Sequence, residues 1–156
     1  MKKSIYLDST IPSYLFDERE DIKLHTEITR KWWNEERCHF SLFIANESII
    51  ELENGEYPNK QQVMDCIVSI EILPPAARIS EIIQAYIGNY LMPRSSSGDA
   101  LHLAYASYYK LDFLLTWNCN HLANANKKQH IRIINTRMGL LTPEIITPLE
   151  LFTESN

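Results

Sequence analysis

The chain has 156 residues and a mass of 18.2 kDa, and 45% of its residues are hydrophobic and 22% charged. This composition excludes an intrinsically disordered protein, and the length fits one globular domain that is stable without disulfides or structural zinc. The net charge of −5 excludes a strongly basic nucleic-acid-binding domain. Three scattered cysteines without a CxxC motif favour a reducing compartment, and no apolar run approaches the ~20 residues that span a bilayer. We therefore expect a soluble, cytoplasmic protein.

The first half of the chain alternates short apolar runs with stretches of helical periodicity, which is typical of an α/β fold. An apolar, β-prone run over residues 4–7 ends at Asp8, and a helix is expected to begin at Thr10. The pattern predicts three further elements in this half: an amphipathic helix over Asp21–Glu36, a strand over His39–Ala45 and a short helix over Asn46–Asn54.

The second half continues the alternation. Helices are predicted over Lys60–Ser69, Ile79–Leu91 and Asp99–Tyr109, and a short strand over Ile70–Leu73. The remaining predicted elements are buried strands over Phe113–Trp117 and Ile131–Asn135, a polar helix near His121–Lys128, and an extended tail with one short turn after Gly139. Because no repeat or linker interrupts the pattern, we predict one domain over residues 1–152, followed by a short tail over 153–156.

Four polar residues stand where a site would form in such a fold. Asp8 and Asn118 each follow a predicted strand, Asp99 opens a predicted helix, and Glu51 lies on the helix after the second strand. In open α/β sheets, ligands bind outside the carboxyl ends of the strands. Structural roles are the alternative: Asp8 suits a turn, and Asp99 suits the first turn of a helix, where the helix dipole favours an acid. Their convergence on one edge of one sheet would favour a functional role.

A cluster of carboxylates implies a cation. Carboxylates that crowd together repel one another unless a cation joins them, and an all-oxygen cluster prefers hard Mg²⁺ or Mn²⁺ over zinc. The sequence therefore predicts Mg²⁺ or Mn²⁺ as the cofactor if these side chains meet.

Three segments of the chain resemble the motifs of one family. IYLDSTIPSY (residues 5–14) resembles the opening motif of PIN-domain nucleases, SGDALHLAYA (97–106) their third-acid motif, and LLTWNCNHLANA (114–125) their fourth. The resemblance covers nearly the whole chain, and it is strongest to the VapC-type toxins of bacterial toxin–antitoxin pairs. It implies a single PIN-like domain with a mainly parallel central sheet flanked by helices.

The resemblance also implies roles for individual residues. Asp8 and Asp99 are expected to be the principal metal ligands, and Glu51 the second acid, because Glu51 to Gly55 matches the family's Glu-x-x-x-Gly ending. Glu47 is the alternative to Glu51. The fourth position, which often carries aspartate in the family, is Asn118 here, and this amide removes one negative charge and puts a tightly bound second metal in doubt.

The activity that the resemblance implies is metal-dependent hydrolysis of an RNA phosphodiester, in which a metal lowers the pKa of a water molecule to supply hydroxide at neutral pH. An antitoxin protein and a homodimer are the implied partners, and no membrane is involved. The alternative is a catalytically inactive PIN-like module that binds RNA or protein, which Asn118 and the acidic surface favour. A phosphatase with Asp8 as nucleophile is disfavoured, because Thr10 stands where that chemistry needs a second aspartate.

Several neighbouring residues have open roles. Ser9 and Thr10 are expected to cap the following helix rather than to bond Asp8. Thr116 either donates a hydrogen bond to an acid at the strand end or is an ordinary strand residue. His102 is expected to pack through a hydrogen bond rather than to bind metal. The three tryptophans are expected in the core or an interface, with base stacking as the alternative, and candidates for holding the RNA strand are Lys2, Lys3, Lys127, Lys128 and Arg132.

Overall fold

The computed structural model describes residues 1–89, 91–92, 97–118 and 125–153. Its centre is a sheet of five strands in the order β3-β2-β1-β4-β5, with every neighbouring pair parallel. The strands are β1 (Lys3–Leu7), β2 (Phe40–Ala45), β3 (Glu71–Leu73), β4 (Phe113–Leu115) and β5 (Glu144–Ile146). The predicted α/β class and parallel sheet are confirmed.

Helices cover both faces of the sheet. They are α1 (Thr10–Leu15), α2 (Lys23–Glu35), α3 (Asn46–Asn54), α4 (Lys60–Ile67), α5 (Ala77–Gly88), α6 (Ser97–Tyr108) and α7 (Ala125–Arg137), with 3-10 turns at Glu20–Ile22, Arg37–His39 and Pro148–Glu150. Apolar side chains of α5, α6 and α7 form one core against the sheet, and those of α1, α2, α3 and α4 form a second core on the other face. Within the described ranges, no helix is long and apolar enough to cross a membrane.

Successive side chains of β1 point alternately into these two cores. Tyr6 belongs to the core with α5, α6 and α7, whereas Ile5 and Leu7 belong to the core with α1 and α2. All three side chains are fully buried. A central parallel strand is covered on both faces, so the buried residues 5–7 are apolar without alternation, and this apolar run ends where Asp8 emerges.

One predicted strand is wrong. Residues 131–135 belong to helix α7, because Ile131, Ile134 and Asn135 are buried while Arg132 and Ile133 face solvent. That three-and-four spacing is helical, and a strand would have buried alternate residues.

The tail after Gly139 is also more regular than predicted. It supplies the edge strand β5 and a 3-10 turn at Pro148–Glu150, where an extended coil with one turn was expected. Gly139 ends α7 with a positive φ of 71°, and the next residue, Leu140, donates its N–H to the carbonyl of Asn135. This left-handed turn reverses the chain so that β5 pairs alongside β4. Thr153 bonds Glu36, and since residues 154–156 lie outside the described ranges, the domain end at residue 152 stays a prediction.

Candidate active site

The direction of the chain crossovers changes between β1 and β4. From β1 the chain adds β2 and then β3 on one side, and it returns to place β4 and β5 on the other side. At such a switch point the loops leave neighbouring strands in opposite directions and open a crevice at the carboxyl edge of the sheet. Asp8 follows β1 there, and residues 116–118 follow β4.

Asp8 is the most buried acid of this crevice, with 2% of its surface exposed. Its Oδ1 accepts bonds from the backbone N–H of Thr10 at 3.0 Å and from the Thr10 hydroxyl at 2.5 Å, and its Oδ2 accepts a bond from the Thr116 hydroxyl. Burial raises the pKa of Asp8 to about 6, and the hydrogen bonds from the two threonines limit that rise. The fold thus holds a carboxyl group that is costly to ionise without a nearby cation.

The role predicted for Thr10 is wrong, and one of the two roles open for Thr116 is confirmed. The Ser9 side chain makes no capping bond to α1, and the Thr10 hydroxyl turns back to Asp8. The same hydroxyl accepts the backbone N–H of Trp117 at 3.1 Å. The Thr10 hydroxyl therefore joins the end of β1 to the end of β4, a contact that a helix cap could not make.

Asp99 and Asn118 meet in the same crevice. Asp99 lies in the first turn of α6, where the helix dipole favours a negative charge. The Asn118 amide donates to Asp99 Oδ1 at 2.8 Å, and the Asn118 backbone N–H donates to the Thr116 hydroxyl at 2.9 Å. Thr116 therefore links Asp8 on one side to Asn118 and Asp99 on the other.

Two glutamates on α3 approach from the β2 side. Glu47 is in the first turn, directly after β2, and its Oε2 accepts the Tyr105 hydroxyl at 2.5 Å. Glu51 lies one turn further along α3 and is exposed. Both carboxylates act electrostatically on His102, as Asp99 does. The structure therefore brings both glutamates towards α6, and Glu47 is the more firmly positioned of the two.

His102 forms a buried pair next to the acids: its expected packing through a hydrogen bond is confirmed, whereas its partner, Tyr6, was not predicted from the sequence. The Tyr6 hydroxyl lies 2.6 Å from His102 Nδ1, and both residues are buried. Burial lowers the pKa of His102 to about 4 and raises the pKa of Tyr6 well above its ordinary value. The imidazole is therefore neutral near pH 7, and a Tyr6 hydroxyl that donates to Nδ1 leaves the proton on Nε2. Sequence spacing holds a signal, because Tyr6 is two strand residues before Asp8 and His102 is one helical turn after Asp99.

Within the described ranges, no hydrogen bond or ion pair joins the basic residues predicted to hold a strand to Asp8, Glu47 or Glu51. Lys3 begins β1, about 13 Å from its carboxyl end at ~3.3 Å per residue, and its ammonium lies over the Phe113 ring. Lys128 and Arg132 line a cavity of about 220 Å³ with Glu144, the first residue of β5. Lys127 donates to the carbonyl of Leu91 at 2.7 Å. The motif residues 119–124 lie outside the described ranges.

The acids form an edge rather than a closed metal cage. Among the described residues, no group of three or more His, Cys, Asp or Glu side chains is close enough together to hold a metal ion. In the same ranges, no lysine or arginine forms an ion pair with Asp8, Glu47 or Glu51. Asp8, Asp99, Glu47 and Glu51, the acids described along this edge, offer carboxylate oxygens, which are the ligands that a hard divalent cation prefers.

Comparisons with known proteins agree with this geometry. A family model described as the PIN domain matches residues 5–127. Among solved structures, the fold is similar to a chain of a toxin–antitoxin complex from Klebsiella pneumoniae, with a TM-score of 0.57 and 18% identity. That similarity covers 92% of this chain and 97% of the other, and at such low identity it concerns the fold alone. No curated protein sequence matches the chain.

Proposed function

The chain belongs to the PIN domain family, and from that premise we propose that it is a metal-dependent endoribonuclease, the toxin of a type II toxin–antitoxin pair. PIN domains are generally nucleases. The observation that carries the proposal is Asp8, a carboxyl group buried at the switch point of the sheet, without an ion-pair partner among the described residues and beside Asp99 and Asn118.

The donor set suits Mg²⁺ or Mn²⁺. Asp8 and Asp99 would hold the ion from either side of the crevice, and Glu51 or Glu47 would complete the ligands from α3. The cost of burying an ionised Asp8 supports this assignment, because a cation would offset it. When bound, the ion supplies Lewis-acid chemistry and a water molecule of lowered pKa.

The residues of the chain prepare the site for that ion. Thr10 and Thr116 fix both oxygens of Asp8, and the Asn118 amide fixes one oxygen of Asp99. Tyr105 fixes one oxygen of Glu47. Held carboxylates lose little side-chain entropy on binding a cation, so preorganisation of this kind favours metal affinity.

The test is cleavage of structured RNA by purified protein, with Mn²⁺ and with EDTA. We expect cleavage that needs the metal, is abolished in Asp99→Asn and persists in Asp65→Asn, an exposed control on α4. Circular dichroism verifies that each variant is folded. If folded, antitoxin-free protein does not cut RNA under any condition, the inactive binding module becomes the better interpretation, with Asn118 as the cause of the lost activity.

We also propose the partners and the compartment. The similar Klebsiella pneumoniae protein is part of a toxin–antitoxin complex, which supports an antitoxin partner here, and the family supports a homodimer acting in the cytoplasm. Light scattering of the purified protein would test the dimer, and a mass of about 18 kDa would contradict it.

A further inference from the structure

Three rings form a cluster at the rim of the candidate site. The centroid of the Trp117 ring lies 4.4 Å from that of His25, and the two ring planes are at 41°. It lies 6.5 Å from the centroid of the Tyr14 ring, with the planes at 16°. Tyr14 and His25 are themselves 6.4 Å apart and 27° from parallel. The rings come from α1, α2 and the segment after β4, and we call these three residues the aromatic platform.

The aromatic platform is tied to the site by hydrogen bonds. The Trp117 indole N–H donates to the Thr29 hydroxyl at 2.8 Å, and this hydroxyl in turn donates to the carbonyl of His25 at 2.6 Å. The backbone N–H of Trp117 donates to the same Thr10 hydroxyl that bonds Asp8. The next residue, Asn118, bonds Asp99. The position of the indole is therefore fixed relative to both acids.

The residues of the aromatic platform are accessible to solvent, whereas the other two tryptophans of the chain are buried. Trp32 and Trp33 are 0% and 5% exposed and belong to the core, whereas Trp117 and Tyr14 are only half-buried and His25 is exposed. Trp117 also packs in part against the core with α1, α2, α3 and α4, whereas Tyr14 belongs to neither core. Core packing therefore accounts for part of the Trp117 ring but not for Tyr14.

Charge does not make this rim attractive to phosphates. A neighbouring groove of about 310 Å³ is lined by Lys23 and Thr26, which precede and follow His25 in the sequence. Its charged lining residues are acidic and basic in nearly equal number. A nucleic acid held here would depend on contacts other than phosphate–cation pairs. Exposed π-faces supply such a contact, because every base can stack on them.

We propose that the aromatic platform is a binding subsite for an unpaired nucleobase of the RNA, next to the phosphodiester that Asp8 and Asp99 address. The inference rests on the proposed nuclease function and adds the subsite that holds the substrate. A base that enters it must leave its helix, so the subsite selects unpaired segments. It also prefers purines, because their larger rings stack more strongly.

The binding test uses the non-cleaving Asp99→Asn protein and a fluorescein-labelled single-stranded oligo(A) RNA 12-mer, followed by fluorescence anisotropy. We expect Tyr14→Leu and His25→Ala to weaken the Kd roughly 5- to 100-fold, the range for loss of one stacked base. Tyr14→Phe retains the ring and should bind normally. His39→Ala is the matched control, since this exposed histidine precedes β2 at the opposite end of the sheet, and it should leave the Kd unchanged.

Two further readouts separate stacking from a structural effect. Intrinsic tryptophan fluorescence should be quenched by oligo(A) more than by oligo(U), and Trp117→Phe should remove the quenching while the core tryptophans stay silent. Duplex RNA should bind weakly, and its Kd should be the same for the wild type and the Tyr14→Leu variant. Thermal melts establish that each variant is folded.

The outcomes distinguish the two proposals. If the wild type cleaves RNA but folded Tyr14→Leu and His25→Ala proteins bind and cleave it equally well, the stacking subsite is overturned and the nuclease stands. If the folded wild type neither binds nor cleaves RNA, both proposals fail together. Weakened binding of single strands in both platform variants, with the His39→Ala control intact, supports the subsite.

Discussion

Asp8 is a carboxyl group that the fold buries and then surrounds with hydroxyl donors. Two threonines from different parts of the chain, Thr10 and Thr116, offset part of the cost of its charge. The remaining cost is visible in its pKa of about 6, against an ordinary value of 3.8.

Because the folded-state pKa of Asp8 is raised, its protonated form stabilises the fold below pH 3.8, and that contribution is lost as the pH rises through about 6. The difference between the two pKa values corresponds to about 3 kcal/mol. We expect Asp8→Asn to raise the free energy of unfolding by about 1–3 kcal/mol at pH 8 in EDTA, less whatever the amide loses in hydrogen bonding. The gain should vanish towards pH 4.

Urea unfolding between pH 4 and pH 8 measures this effect. Asp21→Asn, at an exposed position, is the control and should show no such pH dependence. An Asp8→Asn protein that is less stable than wild type at pH 8 and unchanged in its pH dependence would contradict the assignment of a buried, costly charge.

Substitution distinguishes the roles of the two glutamates of α3. Glu47→Gln and Glu51→Gln each remove one negative charge from the crevice while keeping the side-chain volume. The family motif predicts that Glu51→Gln lowers kcat/KM for RNA by 10²-fold or more, on the scale of losing a group that stabilises the transition state. Equal or greater loss in Glu47→Gln, with Glu51→Gln near wild type, would transfer the role to Glu47, which Tyr105 already positions.

The candidate acids could be predicted from sequence because they follow strands or open helices, and parallel strands bring their carboxyl ends to one edge. The pair of Tyr6 and His102 could not, because 96 residues separate its members and apolar neighbours surround both. Choosing the buried partner of a tyrosine requires the register of α6 against β1, which the sequence does not contain.

The largest difference between the predicted and the observed secondary structure concerns α7. Ile131, Ile133 and Ile134 lie within four residues, and their β-branched side chains favour a strand when taken alone. Packing against α5 and α6 overrides that preference: Asn135 accepts the Tyr86 hydroxyl at 2.6 Å and donates to the Ser107 hydroxyl at 3.0 Å. A buried polar residue shared by three helices leaves no trace in hydrophobic periodicity.

Two alanine substitutions distinguish a helix from a strand here. Ile131 is fully buried and Ile133 is 44% exposed, so Ile131→Ala should lower the free energy of unfolding by about 2–5 kcal/mol and Ile133→Ala by less than about 1 kcal/mol. Residues 131 and 133 would face the same side in a strand. Similar losses in both variants, measured by urea denaturation, would therefore contradict the helix.

Metal binding should be coupled to the folding of the domain. An ion that binds the folded chain alone stabilises it by about 2.7 kcal/mol at 100 times its Kd, which corresponds to a rise in Tm of roughly 5–10 °C for a domain of this size. We expect Mn²⁺ to raise the Tm of wild type and of Asp21→Asn, and EDTA to reverse the rise. A rise of the same size in Asp8→Asn would show that the ion binds elsewhere.

The order of the strands has a consequence for how the protein is made. The crevice takes Asp8 from the start of the chain and Asn118 from its last third, and β4, which completes the crevice, fills the gap between β1 and β5. At ~5–20 residues per second, a ribosome adds Asn118 roughly 6–20 s after Asp8. During that interval the nascent chain has acids but no assembled crevice. The proposed cleavage therefore cannot begin until β4 and Asn118 have been synthesised and paired with β1.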